Sequence, residues 1–167
     1  MAVGELIGGA IGILLLVIVA YVLIGSTLST AEITVSAQRD LTIMHEARVR
    51  TSITVTDANT TWNAQDMTWR VTFNVTNSGS ETLSTFQNMD VFLAAGDGTL
   101  PVHYPFGSES DSTKWNATGI TPDFVHPNQL DPGEKLAGIA IFSTPQPKWI
   151  EVVTGNGVYS SALITGP

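Results

Sequence analysis

Residues 6–25, from Leu6 to Gly25, contain no charged side chain. At 1.5 Å of rise per residue such a run makes a helix about 30 Å long, one hydrocarbon thickness. Ile, Leu and Val fill positions 11–24 almost without a break. No polar face interrupts them, so the helix is not built to lie flat on a membrane surface. Three roles are open to it: a cleaved secretory signal, a membrane anchor, or an assembly helix that leaves lipid to pack against copies of itself. A signal needs a basic n-region and a small-residue cleavage site. Residues 1–5 hold no Lys or Arg, which leaves the anchor and the assembly helix.

Two features favour assembly. Gly8 and Gly12 form a G-x-x-x-G spacing, and Gly4 extends the same face. Small residues so placed let helices approach closely. Glycine is common in membrane helices, yet it weakens a helix, so a packed face of glycines wants a reason. The second feature is Glu5, a carboxylate just ahead of the apolar run. Beyond Gly25 no proline interrupts residues 26–50. Leu28, Ala31, Val35, Leu41, Met44 and Ala47 recur at three- and four-residue spacing, which predicts that the helix continues as a polar stalk to about Arg50. Arg39, Arg48 and Arg50 lie on this stalk as solvated residues, free to pair with acidic neighbours or lipid headgroups.

Sidedness is contested. Basic residues follow the span instead of preceding it, which by the positive-inside rule argues for a cytoplasmic C-terminal part. Three glycosylation sequons oppose this: Asn59-Thr60-Thr61, Asn74-Val75-Thr76 and Asn116-Ala117-Thr118. With Asn59, Asn74 and Asn116 as candidate N-glycosylation sites, the expected location is extracytoplasmic.

After Thr51 the period changes from helical to alternating. Met67, Trp69, Val71, Phe73 and Val75 alternate with Thr68, Arg70, Thr72 and Asn74, the pattern of a strand buried on one face. Further strands are predicted from Ile53 and Val55 and at 89–94, 101–104, 136–142, 149–154 and 158–164. Turns are predicted at 77–80, 95–98 and 154–157, the last closing a hairpin through Asn156-Gly157, a pair that favours positive φ. Residues 105–129 read as a long polar excursion that covers a sheet edge or faces a partner. The predicted fold class is α+β: a long hydrophobic N-terminal helix with its stalk over residues 1–50, then an immunoglobulin-like antiparallel β-sandwich of six or seven strands over residues 51–167.

Chemistry is hard to find. The chain has 167 residues, a net charge of −8 and no cysteine, which removes disulfides, thiolate nucleophiles and Cys-type zinc sites. Lys and Arg number seven and do not cluster in the β domain, so no basic stripe exists for nucleic acid. G-x-S-x-G, P-loop and dinucleotide motifs are missing. His45, His103 and His126 stand apart in sequence, without metal-ligand spacing. Asp97, Glu109, Asp111 and Asp123 are acidic residues in or beside loops, but no D-x-D-x-D-G loop joins them. They are read as turn formers. Neither a cofactor nor a metal is expected, and the chain is read as non-enzymatic.

Several segments carry a family resemblance. They are the Met1–Gly25 run, Val75–Leu83, Asp90–Leu93, Leu130-Asp131-Pro132-Gly133-Glu134 and Val153–Val158. Each is a low-specificity signature; together they span most of the chain. In these the chain resembles archaeal type IV pilin-like proteins, and among them archaellum (archaeal flagellum) proteins. The resemblance implies an apolar helix bearing an external sandwich at the archaeal cell surface, in the membrane before assembly. It implies assembly with copies of itself and with other archaellum proteins, and it implies that Glu5 pairs with a neighbouring subunit's N-terminal amine. Two types are implied. Accessory F- and G-type proteins form the stator or envelope anchor, the F-type binding the S-layer; archaellins form the filament. Archaellin precursors carry a short basic leader before the cleavage point. No such leader stands ahead of Glu5, and the ending differs from the archaellin pattern. The reading therefore leans to the accessory type.

Overall fold

The computed structural model describes residues 2–108, 112–143 and 145–166, with the backbone alone at Ala2, Glu5 and Leu6. Two compact units divide the chain, Met1–Met44 and His45–Pro167.

The first unit is the body of helix α1, Ala2–Arg50, which runs unbroken through the predicted stalk. At 1.5 Å per residue it is about 70 Å long. The stalk is rich in threonine, a residue that competes with helix through its hydroxyl. Here each hydroxyl turns back on its own helix: Thr30 donates to the Ser26 carbonyl at 2.9 Å, Thr34 to Thr30 at 2.8 Å and Thr42 to Gln38 at 2.8 Å. Back-bonding of this kind keeps threonine compatible with a helix interior. The apolar side chains from Ile11 to Ile24 are all exposed, and the helix is long and apolar enough to cross a membrane.

The second unit holds the last turn of α1 and eight strands: β1 (Ile53–Asn63), β2 (Thr68–Asn77), β3 (Asp90–Ala95), β4 (Val102–Pro105), β5 (Trp115–Thr121), β6 (Lys135–Phe142), β7 (Pro147–Val153) and β8 (Tyr159–Leu163). They form two four-stranded antiparallel sheets, β1-β2-β6-β5 and β4-β3-β7-β8. That order is the immunoglobulin-like arrangement, with a short extra strand, β4, beside β3. The core lies between the sheets. It is built from the alternating residues Val71, Phe73 and Val75 of β2, Val91 and Leu93 of β3, Leu136 of β6, and Ile150 and Val152 of β7.

The strand expectations need four corrections. Eight strands form, not six or seven, because β5 lies inside the predicted polar excursion, where it makes one edge of the first sheet. Its Trp115 is fully buried, yet the polar residues around it conceal the alternation. β1 runs on to Asn63 through a bulge between Thr56 and Asn59, with Asp57 at φ 52°. Aspartate tolerates this left-handed conformation better than most residues. Met67 does not continue the inward face of β2; at φ 51° it sits exposed in the turn that precedes the strand. The 154–157 hairpin closes as expected, with Gly157 N–H donating to the Thr154 carbonyl at 2.8 Å and Thr154 N–H to Val158 at 2.8 Å. Only Gly157 of its Asn-Gly pair adopts positive φ, however. This is the longer hairpin loop with one left-handed residue, not the two-residue type.

The last turn of α1 is tied to the base of the sandwich. Ser80 N–H caps the Arg50 carbonyl at 2.9 Å, and Gly79 N–H reaches the Ser52 carbonyl at 3.0 Å. Asn156 donates to the Thr51 hydroxyl at 2.6 Å. Arg50 lies between Glu46 at 3.5 Å and Glu81 at 3.6 Å.

Candidate functional site

Gly4, Gly8 and Gly12 fall on one side of α1, and a Cβ added at any of them would meet nothing within 4 Å. The glycine face is open in the single chain and free for another helix. The side chain of Glu5 lies outside the described residues. Replacing Gly8 and Gly12 by Leu is expected to abolish assembly through the helix while leaving the sandwich folded. Cross-linking in membranes together with circular dichroism checks this, and normal assembly of the double variant would exclude the glycine contact.

The three sequons converge. Val71, Phe73 and Val75 face the core, so Asn74 and Thr76 face outward. Asn59 lies between the buried Ala58 and Thr60 and also faces outward, as does its Thr61. Asn116 follows inward-facing Trp115 and pairs with Ile139 of β6. All three asparagines, on β1, β2 and β5, thus stand on the outer face of the first sheet. In an extended strand, residues two apart share a side, so Asn59 and Asn74 each stand beside their acceptor Thr, whereas Thr118 lies in a bulge of β5. Asn59 is exposed; Asn74 and Asn116 are half-buried. The Asn59 amide donates to the Asp57 carbonyl at 3.0 Å and accepts from the Thr165 hydroxyl at 2.7 Å. Asn74 donates to the Asp57 carboxylate at 3.2 Å.

Asp97 and Asp123 do not meet. Asp97 follows β3 at one end of the sandwich, and Asp123 follows β5 at the other. Each organises its own loop: Asp97 accepts from Thr99 N–H at 3.0 Å, which holds its carboxyl below the usual range, and Asp123 accepts from Asn128 N–H at 3.1 Å. Glu109 and Asp111 lie outside the described residues. No group of three or more His, Asp or Glu capable of holding a metal occurs among the described residues.

Two of the segments that carry the resemblance, 75–83 and 130–134, prove to be neighbours. Leu83 and Leu130 exchange backbone hydrogen bonds at 3.1 and 2.9 Å. Asn77 is fully buried between them. Its amide donates to the Glu81 and Leu130 carbonyls at 2.7 and 2.9 Å and accepts from Gly79 N–H at 3.0 Å. Asp131-Pro132-Gly133-Glu134 is a turn closed by Glu134 N–H on the Asp131 carbonyl at 3.0 Å, with proline at its second position and Gly133 at φ 86°. The buried Asp131 carboxylate accepts from the Thr82 hydroxyl at 2.8 Å and from His126 through its backbone N–H and ring Nδ1, both at 2.9 Å.

The bond from the His126 ring is the main reason the Asp131 carboxyl titrates below its ordinary range, against the opposing effect of burial. A carboxyl with a depressed folded pKa stabilises the fold above its unfolded pKa, and that contribution is lost as pH falls through the folded value. Asp131→Asn is therefore expected to melt earlier than the parent at neutral pH, with the gap closing as pH drops below about 4. Thermal midpoints across pH check this; a constant gap would assign the residue a role independent of its charge. The sequence marked a turn at 77–80 and put Asp131 in a segment carrying the resemblance, but it assigned neither Asn77 nor Asp131 a buried role.

No family model matches the chain, and no curated protein sequence matches it. Solved structures do. The archaellum periplasmic stator protein FlaG from Sulfolobus acidocaldarius matches with a TM-score of 0.50 and 26% identity, covering 68% of this chain and 98% of that one. The complex of FlaF and FlaG from the same organism matches with a TM-score of 0.47 and 26% identity, covering 66% of this chain and 86% of that one. The chain is similar in fold to an archaellum stator protein, of the accessory F/G group that the sequence resemblance indicated.

Proposed function

We propose that the chain is a structural, non-enzymatic component of the archaellum, an F/G-type accessory protein that anchors the motility machine to the cell envelope. The observation that carries this is the likeness to FlaG, which extends over 98% of that protein. In this reading α1 holds the protein in the membrane and joins it to its assembly through the glycine face, with Glu5 available to a neighbouring N-terminal amine. The sandwich stands outside the cytoplasm at the archaeal cell surface. It meets other archaellum proteins or the S-layer there and carries glycans on Asn59, Asn74 and Asn116.

Deleting the gene is expected to stop swimming, and the re-expressed chain to restore it. Mass spectrometry of sheared archaella from the complemented strain separates the accessory role from a filament subunit. An accessory protein stays with the membrane fraction. Recovery as a major component of the sheared filament would make the chain an archaellin, with the helices as the filament core. Normal swimming in the deletion strain would remove the archaellum reading altogether.

A further inference from the structure

The outer faces of the two sheets differ in kind. An antiparallel sheet with one side in water normally alternates apolar-in and polar-out. The first sheet largely obeys this: Thr54, Arg70, Thr72 and Lys135 stand outward beside the three sequon asparagines, and its outward apolar residues, Ala137, Ile139 and Ile141, all lie on the inner strand β6. The second sheet does not. Its strand registers place three outward rows side by side: Asp90, Val153 and Tyr159; Phe92, Glu151 and Ser161; Ala94, Trp149 and Leu163. Tyr159 and Leu163 are 65% and 77% exposed on the edge strand β8, and Phe92, Trp149 and Val153 are half-buried in the sheet. With strands about 4.8 Å apart and outward rows about 7 Å apart, the nine side chains cover roughly 300 Å². That is within the size range at which an exposed apolar patch on a soluble domain is commonly functional.

The charges on this face say what covers it. Glu151 sits at its centre, paired across the ladder with Phe92 on one side and Ser161 on the other. Among the described residues no Lys, Arg or His reaches its carboxylate. At the rim, Asp90 bonds His103 at 2.8 Å, and the His103 ring stacks on Phe92 with centroids 5.1 Å apart. A second copy meeting this face about a two-fold axis would set Glu151 against Glu151, a like-charge contact. A cation set among apolar side chains satisfies both the carboxylate and the aromatic rings, since Arg and Lys are attracted to Trp and Tyr faces.

We propose that the outer face of the second sheet docks a folded protein that presents a Lys or Arg within an apolar surface, while the sequon-bearing face stays turned away from it. The proposal rests on the accessory-protein reading only for where the partner is sought, among other archaellum proteins. A contact of this size is weak by itself. Anchoring of both proteins in one assembly raises their effective concentration and makes a weak contact sufficient.

The test places the photo-cross-linker p-benzoylphenylalanine at Tyr159, at Leu163 and, on the opposite face, at Thr72 of the full chain in its own cells. Adducts are identified by mass spectrometry. The expected result is adducts from positions 159 and 163 with an archaellum protein, through a peptide that contains Lys or Arg beside apolar residues. Glu151→Lys should reduce the position-163 adduct at least tenfold and Glu151→Gln several-fold, with Lys135→Glu on the other sheet leaving it unchanged. Leu163→Asp, at a position 77% exposed on the edge strand, should reduce the adduct from position 159 to a similar degree. Adducts mainly between two copies or with a glycan, equal yield from Thr72, or indifference to Glu151→Lys would overturn the proposal. If the deletion strain fails to swim while the adducts arise elsewhere, the docking face is wrong and the archaellum reading stands. Normal swimming would remove that reading instead.

Discussion

Trp115→Ala is expected to cost the sandwich about 3–5 kcal/mol, the range for removing a buried large aromatic side chain. The indole is fully buried. It packs against Phe106 edge-on with centroids 5.0 Å apart and against Phe73 at 6.1 Å, and its Nε1–H donates to the Met89 carbonyl at 3.0 Å. Truncation opens a cavity between the sheets and leaves that carbonyl without a partner in a dry place. For a domain of this size the midpoint should fall by about 15 °C. Trp115→Phe keeps most of the volume and loses the hydrogen bond, so its loss should be about 1–2 kcal/mol. Near-ultraviolet circular dichroism of the full chain in detergent reports this unfolding cleanly, because all four tryptophans belong to the sandwich. An alanine variant melting within a degree or two of the parent would mean that β5 is not packed as described.

The second large effect is at Asn77. Alanine there leaves the Glu81 carbonyl without its partner, at a cost on the order of 1–3 kcal/mol, and removes one of two bonds from the Leu130 carbonyl and from the Gly79 N–H, which keep Leu83 N–H and the Ser52 carbonyl. With the shared bonds weakened as well, the net loss should be about 2 kcal/mol. Asn77→Asp is nearly isosteric but turns a carboxylate toward the Glu81 and Leu130 carbonyls, and it should be no milder. Hydrogen exchange separates local from global damage: the amides of Leu83 and Leu130, which bridge the two loops, should lose protection before the strand amides do. Unchanged exchange at both would show that Asn77 does not hold the loops together.

How much of this was legible in the sequence depended on whether the signal was local. The apolar run at 6–25 and the alternation at 69–75 are patterns a reader can count, and they correctly announced α1 and β2. β5 was hidden because an edge strand needs few core residues. Trp115 alone buries fully there, and a bulge at 117–119 breaks the alternation that would have shown it. The Asn77 and Asp131 contacts were hidden for another reason. Asn77 meets Leu130 across 53 residues, and Thr82 meets Asp131 across 49, distances at which no periodicity survives. The sequons could be found as motifs, but their common face could not, since it depends on how β5 and β1 register against the strands between them. The apolar outer face of the second sheet was partly visible: Phe92, Trp149, Val153, Tyr159 and Leu163 had been absorbed into predicted strands without a side assigned to them.

The grip on the end of α1 has a mechanical consequence. Force applied at residues 50–53 enters the sandwich at the start of β1, which is bonded to β2 over nearly its whole length. Beyond the bulge, β1 is also bridged in parallel to the chain's far end, at Asn59 and Thr165. Tension drawn along a strand strains all of its ladder bonds together, as shear, whereas tension across it would open them one after another. Resistance to forced unfolding is set by the rate of that opening. The attachment at the start of β1 therefore suits the domain to bear load along that strand, as the proposed anchoring role requires.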